Sequence, residues 1–403
     1  MPRSGWRKAE SGRRLPDLVS VGLLMKVFPA EVVDAVIAGC GRTEQRRRSL
    51  PARSMAYFAM GMALHSEGSY EDVLALITDG FAWANRDQGS GKLANKAAIS
   101  HARDRLGPEP MALLFERVAK PMAAKDTPGC WLAGRRLVAI DGTCLDLPDT
   151  VANDAFFGRP GVMKGERSAF PQARVVALAE CGTHAMFEAV IGPCTTSEAA
   201  LSVEVLGRLR QGMLCLADRG FYSFAAWENA CRTGADLLWR VKDNLRLDPV
   251  KDLPDGSFLA DVFDSVADRR REHPVRVRVI SYTIEDGRDP AGPYRLITTL
   301  LDHRTAPAAE LAAAYAQRWE IETALDELKT HQRGPRAVLR SKSPELVTQE
   351  IWGHLCCHYA IRSLMFDAAD HAGHDPDRVS FVAALRISRR SIAQQGAFPP
   401  SRA

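Results

Sequence analysis

The spacing of apolar positions changes twice along this chain. Up to about residue 119 it is helical. Pro29-Ala-Glu-Val-Val-Asp-Ala-Val-Ile carries proline in a first turn, Ser54 to His65 is an apolar run of helix formers, and Ser69-Tyr-Glu-Asp-Val-Leu-Ala-Leu-Ile opens on serine with acids behind it. Asn95 to Gly107 predicts a short helix with an Asn start, a Gly stop and a basic surface of Lys96, His101, Arg103 and Arg105. From about Arg135 the period shortens. Arg136-Leu-Val-Ala-Ile-Asp-Gly-Thr is β-rich, and Ala173 to Glu180 and Ala185 to Gly192 flank a Gly-containing turn, which predicts a hairpin. Ser197 to Arg210 predicts a helix, Met213 to Asp218 a strand, Phe224 to Thr233 a helix and Ala235 to Lys242 a strand. This order implies a mixed α/β sheet. Residues 246–306 break the rhythm with the alternating Val275 to Tyr282 and the strand Tyr294 to Leu301, before a long helix beginning near Pro307 and a last apolar helix, Pro344 to His371.

Within that long helix the polar residues repeat at a helical interval. At about 100° per residue, Tyr315, Arg318, Glu322 and Lys329 fall at about 0°, 300°, 340° and 320°. A carboxylate flanked by a guanidinium, an ammonium and a phenol suits a phosphate backbone, with the cations on phosphate and the carboxylate on a metal. Asp326, at about 20°, shares the stripe, whereas Glu320 and Glu327, at about 140° and 120°, do not.

The bulk numbers add bounds. With 403 residues, 46% hydrophobic and 25% charged, the chain has room for two or three domains with a sizeable core. It has no apolar run of membrane length and no signal-peptide pattern, so a cytoplasmic, nucleoid-associated protein is expected. The nine cysteines lack any C-x-x-C spacing, which excludes a zinc finger and predicts reduced, mostly buried thiols. Net charge is only +4, but residues 1–53 hold eleven Lys/Arg against five Asp/Glu, and five Arg with no acid follow from Arg378. Basic ends on a near-neutral body point to a polyanion.

Two acids complete the candidate chemistry. Asp141, in Ala-Ile-Asp-Gly-Thr, and Asp218, in Leu-Ala-Asp-Arg-Gly-Phe-Tyr-Ser, each stand where an apolar strand is expected to end. Strand-end carboxylates joined by one from a helix make a hard oxygen cage for Mg²⁺ or Mn²⁺, and two such ions serve in-line phosphoryl transfer.

Together these motifs resemble the DDE transposases of bacterial insertion sequences, in the insertion-sequence-four group, whose Tyr-x2-Arg-x3-Glu-x6-Lys signature is met by Tyr315, Arg318, Glu322 and Lys329. Phe28-Pro-Ala-Glu-Val-Val-Asp, Glu44-Gln-Arg-Arg-Arg and Leu50-Pro-Ala-Arg are similar to the N-terminal domain of that group, so the resemblance covers most of the chain. It implies an α/β fold: an RNase H-like mixed sheet with helices, preceded by an all-α N-terminal domain and interrupted by a β-rich insertion. The divisions it implies are a DNA-binding helical domain over 1–120, the core over 133–245 and 307–372, the insertion over 246–306, and a basic C-terminal tail over 373–403. Asp141, Asp218 and Glu322 would be the catalytic, metal-binding triad, with Mg²⁺ as cofactor and Mn²⁺ able to substitute. Arg318 and Lys329 would grip phosphates at the transposon end, with Tyr315 and Trp319 beside the DNA. Lys96, Arg103 and Arg105 are the candidate DNA contacts of the N-terminal domain. The partners implied are double-stranded DNA, as terminal inverted repeats and target, and a second copy of the chain in a homodimer.

Members of that group close a DNA hairpin and hold a flipped base on aromatic side chains. The insertion contains no tryptophan, so Tyr282, Tyr294, Phe258 or Phe263 would supply the platform. Two other readings stay open at this point: an RNase H-like nuclease without strand transfer, and a domesticated DNA-binding protein that kept the fold without catalysis.

Overall fold

The computed structural model describes residues 16–46, 49–84, 94–161, 168–264, 274–283, 294–334 and 338–390, so residues 1–15 and 391–403 of the basic ends, and Arg47 and Arg48 of the basic run, lie outside the described residues. The chain divides into a helical unit of residues 1–118, 327–372 and 378–403 and a sheet unit of residues 119–326 and 373–377. Among the described residues no helix is long and apolar enough to cross a membrane.

The helical unit contains α1 (Pro16–Val27), α2 (Ala30–Gly39), α3 (Ala52–Leu64), α4 (Tyr70–Ala84), α5 (Lys96–Leu106) and α6 (Glu109–Val118), and later α12 (Pro344–Ala372) and α13 (Phe381–Arg390). Its local signals act as the sequence implies. The Ser69 hydroxyl accepts from the Asp72 amide at 3.0 Å while the Asp72 carboxylate accepts from the Ser69 amide at 3.0 Å, a reciprocal capping box. Asn95 caps α5 by accepting from the Ala98 amide at 3.0 Å, and Gly107 ends it at φ +73°. The core of this unit is α3, buried from Met55 to Leu64, against α12. The two approach so closely at Gly353 that a Cβ there would meet the Ala59 carbonyl oxygen at 2.5 Å.

Two expectations change here. Arg103 is not on the DNA-facing surface of α5: it is fully buried, donating to Gln349 Oε1 at 2.8 Å, Tyr70 Oη at 3.1 Å, Ser341 Oγ at 3.0 Å and the Leu346 carbonyl at 3.1 Å. A guanidinium whose hydrogen bonds are met inside the core is a structural tie. Of the stretch expected as a basic tail, residues 381–390 are helical as α13, where Arg389 donates to the carbonyls of Leu64 at 2.5 Å and Gln332 at 2.7 Å.

The sheet unit starts with β1 (Trp131–Leu132) and β2 (Arg135–Asp146), then α7 (Val151–Phe157), β3 (Gln172–Glu180), β4 (Met186–Pro193), α8 (Glu198–Leu206), β5 (Met213–Ala217), α9 (Phe224–Arg232) and β6 (Asp236–Arg240). The stretch that breaks the rhythm gives β7 (Pro249–Asp252), β8 (Phe258–Val262), β9 (Val275–Tyr282) and β10 (Tyr294–Thr298), before α10 (Ala308–Ala316) and α11 (Trp319–Asp326). The strand order is β4-β3-β2-β5-β6-β10-β9-β8-β7, with β1 on β2. β2, β3 and β4 form an antiparallel meander, and β5 and β6 follow in parallel beside β2, with α8 and α9 as crossovers. That is the RNase H-like arrangement. The inserted strands continue the same sheet, because β10 pairs antiparallel with β6 through Leu296↔Arg240, Ile297↔Trp239 and Thr298↔Leu238.

Candidate active site

The parallel register of β2 and β5 sends the two aspartates off in the same direction. Ala139 pairs with Leu216, the last pair of that ladder, and Asp141 and Asp218 each follow two residues further on, Asp218 just past the end of β5. Asp141 is not at a strand end as expected. β2 runs on to Asp146 because β3 pairs with it through that residue, while the parallel ladder with β5 stops at Ala139.

The helix that brings the third carboxylate is not continuous. α10 ends at Ala316, the amides of Gln317 and Arg318 bond the carbonyls of Ala314 and Tyr315, and α11 restarts at Trp319. Arg318 and Glu322 still meet across one turn, with Arg318 Nη1 2.8 Å from Glu322 Oε1 and 4.0 Å from Asp141 Oδ2. The Tyr315 hydroxyl reaches toward Asp218 Oδ1 at 3.5 Å. The guanidinium of Arg318 lies over the Trp319 ring at 4.7 Å and the Tyr315 ring at 5.9 Å, and Trp319 itself is exposed.

The electrostatics follow from this crowding. Burial pushes the Asp141 carboxyl up to about 6; the neighbouring Glu322 and Glu198 carboxylates add to this, and the Gly142 amide at 2.8 Å and Arg318 act against it. Burial also raises the Tyr315 phenol far above its ordinary range, so it remains a neutral hydrogen-bond donor.

Other expected residues find separate places. Asp326 is exposed and does not line the cleft. Glu320 turns the other way, accepting from the Gly182 amide and facing His184. Lys329 is exposed on a π-helical turn, Glu327–Gln332, which belongs to the helical unit. A π turn bonds i to i+5 and advances each residue by less than 100°, so the stripe calculated for a regular helix stops at Asp326. Glu327 fixes that turn by accepting from Arg362 Nε at 2.9 Å and lying 3.1 Å from His358 Nε2. Lys96 and Arg105 are exposed in the helical unit, and Arg105 shares an open cleft with Arg42 and Arg46.

Arg240 carries no role on sequence grounds. It ends β6, next to the strand of Asp218, with Nη1 3.9 Å from Asp218 Oδ1 and its guanidinium 4.0 Å over the Tyr294 ring. Tyr294 pairs across strands with Tyr282, the rings stacking at 5.4 Å and 20°. Asp218, Arg240, Tyr282, Tyr294, Tyr315, Arg318, Trp319 and Glu322 thereby line one open cleft of about 640 Å³. Phe258 and Phe263 do not line it. The available signal for Arg240 was its place at the carboxyl end of a parallel strand, where sites of α/β sheets collect.

For a divalent cation the donor chemistry is suitable: hard carboxylate oxygens on two strands and a helix, with a guanidinium already drawn between two of them. Among the described residues, no three His, Cys, Asp or Glu side chains stand close enough as placed to hold an ion.

The chain is similar to known proteins over most of its length. Residues 132–360 match the family described as transposase DDE domain, and residues 18–116 match the family described as insertion element 4 transposase N-terminal. The transposase InsG for insertion sequence element IS4 of Escherichia coli (strain K12) is 29% identical over 377 residues, 92% of this chain and 82% of that protein. The putative transposase InsZ of the same organism is 28% identical over 206 residues, 51% of this chain and 65% of that protein. Among solved structures, a piggyBac transposase synaptic complex with hairpin DNA overlaps 92% of this chain and 79% of its own, at 12% identity and a TM-score of 0.47.

Proposed function

This chain belongs to the DDE transposases of the insertion-sequence-four group and is a DNA transposase, and we propose that it cuts and rejoins the ends of its own element by metal-dependent phosphoryl transfer at Asp141, Asp218 and Glu322. The observation that supports this reading is the guanidinium of Arg318, 2.8 Å from Glu322 of α11 and 4.0 Å from Asp141 of β2, with Asp218, just past the end of the adjoining strand β5, 3.5 Å from the Tyr315 hydroxyl. Asp141, Asp218 and Glu322 would hold Mg²⁺ or Mn²⁺, which supplies activation of the attacking oxygen and charge stabilisation at the leaving oxygen.

The remaining side chains bind and orient. Arg318 and Arg240 flank the carboxylates and would hold phosphate oxygens on either side of the scissile bond, where a planar fork grips two oxygens at once. The neutral Tyr315 phenol donates toward Asp218 and keeps that carboxylate turned to the cleft. The Tyr282–Tyr294 stack, with Trp319 in the same cleft, would offer faces for an unstacked base and serve as the platform expected of the insertion, residues 246–306. In the helical unit, Lys96 and Arg105, joined by Arg42 and Arg46, would grip duplex DNA, while Lys329 would contact the transposon end. Two copies acting on paired ends would form the working assembly.

Single substitutions Asp141→Asn, Asp218→Asn and Glu322→Gln test the reading. Each should abolish strand cleavage and transfer in Mg²⁺ or Mn²⁺ while end-DNA binding persists, because the phosphate grip stays. Robust cleavage by Glu322→Gln together with inactive Asp326→Asn would move the third ligand to Asp326. Cleavage without joining by the unmodified protein would favour a nuclease.

A further inference from the structure

We propose that Arg318 is a built-in counter-ion that competes with a metal ion for Glu322 and Asp141, so that DNA phosphate and metal bind cooperatively through it. The inference rests on the carboxylates being the metal ligands, as argued above.

Arg318 is 6% exposed, so its charge is committed to the interior of the site. Its Nη1 donates to Glu322 Oε1 at 2.8 Å and lies 4.0 Å from Asp141 Oδ2, which places a fixed cation between two of the carboxylates. Glu322 is thereby turned to the guanidinium. A divalent ion drawing Glu322 inward must break that bond and also come close to a buried positive charge, and both effects weaken metal binding. Arg318 Nε, in contrast, is buried and has no hydrogen-bond partner among the described residues. A buried unsatisfied donor on a guanidinium seeks an anionic oxygen, and the phosphate of an incoming strand supplies one. A phosphate that takes the fork releases Glu322, and by linkage the metal must tighten DNA binding by the same factor.

The test is Mn²⁺ binding to the full chain, followed by loss of the free-ion paramagnetic resonance signal, in the wild type, Arg318→Gln, Arg318→Lys and Asp141→Asn. Arg318→Gln removes the charge and should bind Mn²⁺ without DNA about tenfold more tightly than wild type, about 1.4 kcal/mol. Arg318→Lys keeps the charge and should stay weak. Arg318→Met takes the place of Arg318→Gln if thermal melts show that the latter is unfolded. A synthetic duplex of the element's terminal repeat should tighten Mn²⁺ binding more in the wild type than in the uncharged variant. Equal Mn²⁺ affinity in wild type and the uncharged variant, with binding lost in Asp141→Asn, overturns the counter-ion role and leaves the metal site standing. Wild-type Mn²⁺ binding by Asp141→Asn overturns the metal reading itself.

Discussion

Replacing Arg103 by Met should destabilise the helical unit without touching its grip on DNA phosphate. The methionine keeps the stem and loses every donor. Gln349 Oε1, in a fully buried side chain, would lose its partner at 2.8 Å, and a stranded buried acceptor costs about 1–3 kcal/mol. The bonds to Tyr70, Ser341 and Leu346 contribute a net of about 0.5–1.5 kcal/mol each. The total is about 2.5–7.5 kcal/mol, a large share of the 5–15 kcal/mol that roughly separates folded from unfolded domains. Urea unfolding followed by circular dichroism should show the midpoint falling by roughly 1 M or more. End-DNA binding by the remaining folded protein should keep its salt dependence, whereas Arg105→Gln should lower the slope of log affinity against log salt by about one. An unchanged unfolding midpoint together with a lowered salt slope for Arg103→Met would return Arg103 to the DNA surface and refute the argument.

Gly353→Ala should cost about 1–3 kcal/mol by forcing α12 off the Ala59 carbonyl, read as a lower unfolding midpoint; full stability would mean that the helices slide at no cost. Tyr294→Ala removes half of the Tyr282–Tyr294 stack and should lower the yield of any hairpin product more than that of the first nick, visible on denaturing gels. Asp141, held up to about 6 by burial and then by Glu322, keeps a proton that its unfolded counterpart, near 3.8, has lost. That retained proton favours the folded state below the unfolded value, and the contribution fades as pH rises through about 6. The same proton competes with metal, so Mn²⁺ affinity should fall as pH drops below about 6 and level off above it; a flat profile across that range would place the proton elsewhere.

What the sequence determined by itself was whatever depends on neighbours along the chain. The Ser69 capping box, the Asn95 start and Gly107 stop of α5 and the β3–β4 hairpin are all built from groups a few positions apart. Their physics is local, so spacing was enough. The i,i+4 meeting of Arg318 and Glu322 is of the same kind, and it survives the break before Trp319 because one turn of helix is all that it needs. Tertiary structure decided where long-range partners set the outcome. Arg103 has the look of a surface arginine on a basic helix, but Gln349 and Ser341, 246 and 238 residues away, satisfy it in the core. Lys329 leaves the calculated stripe because Glu327 bonds Arg362, 35 residues on, across a π turn that no local pattern announces. Arg240 joins Asp218 only because β6 lies parallel to β5, and Tyr282 meets Tyr294 only through the register of β9 on β10. Burial of a charge and the pairing of strands depend on surroundings that periodicity does not encode, and that is why the Arg318–Glu322 pair was legible while the place of Arg240 beside Asp218 was not.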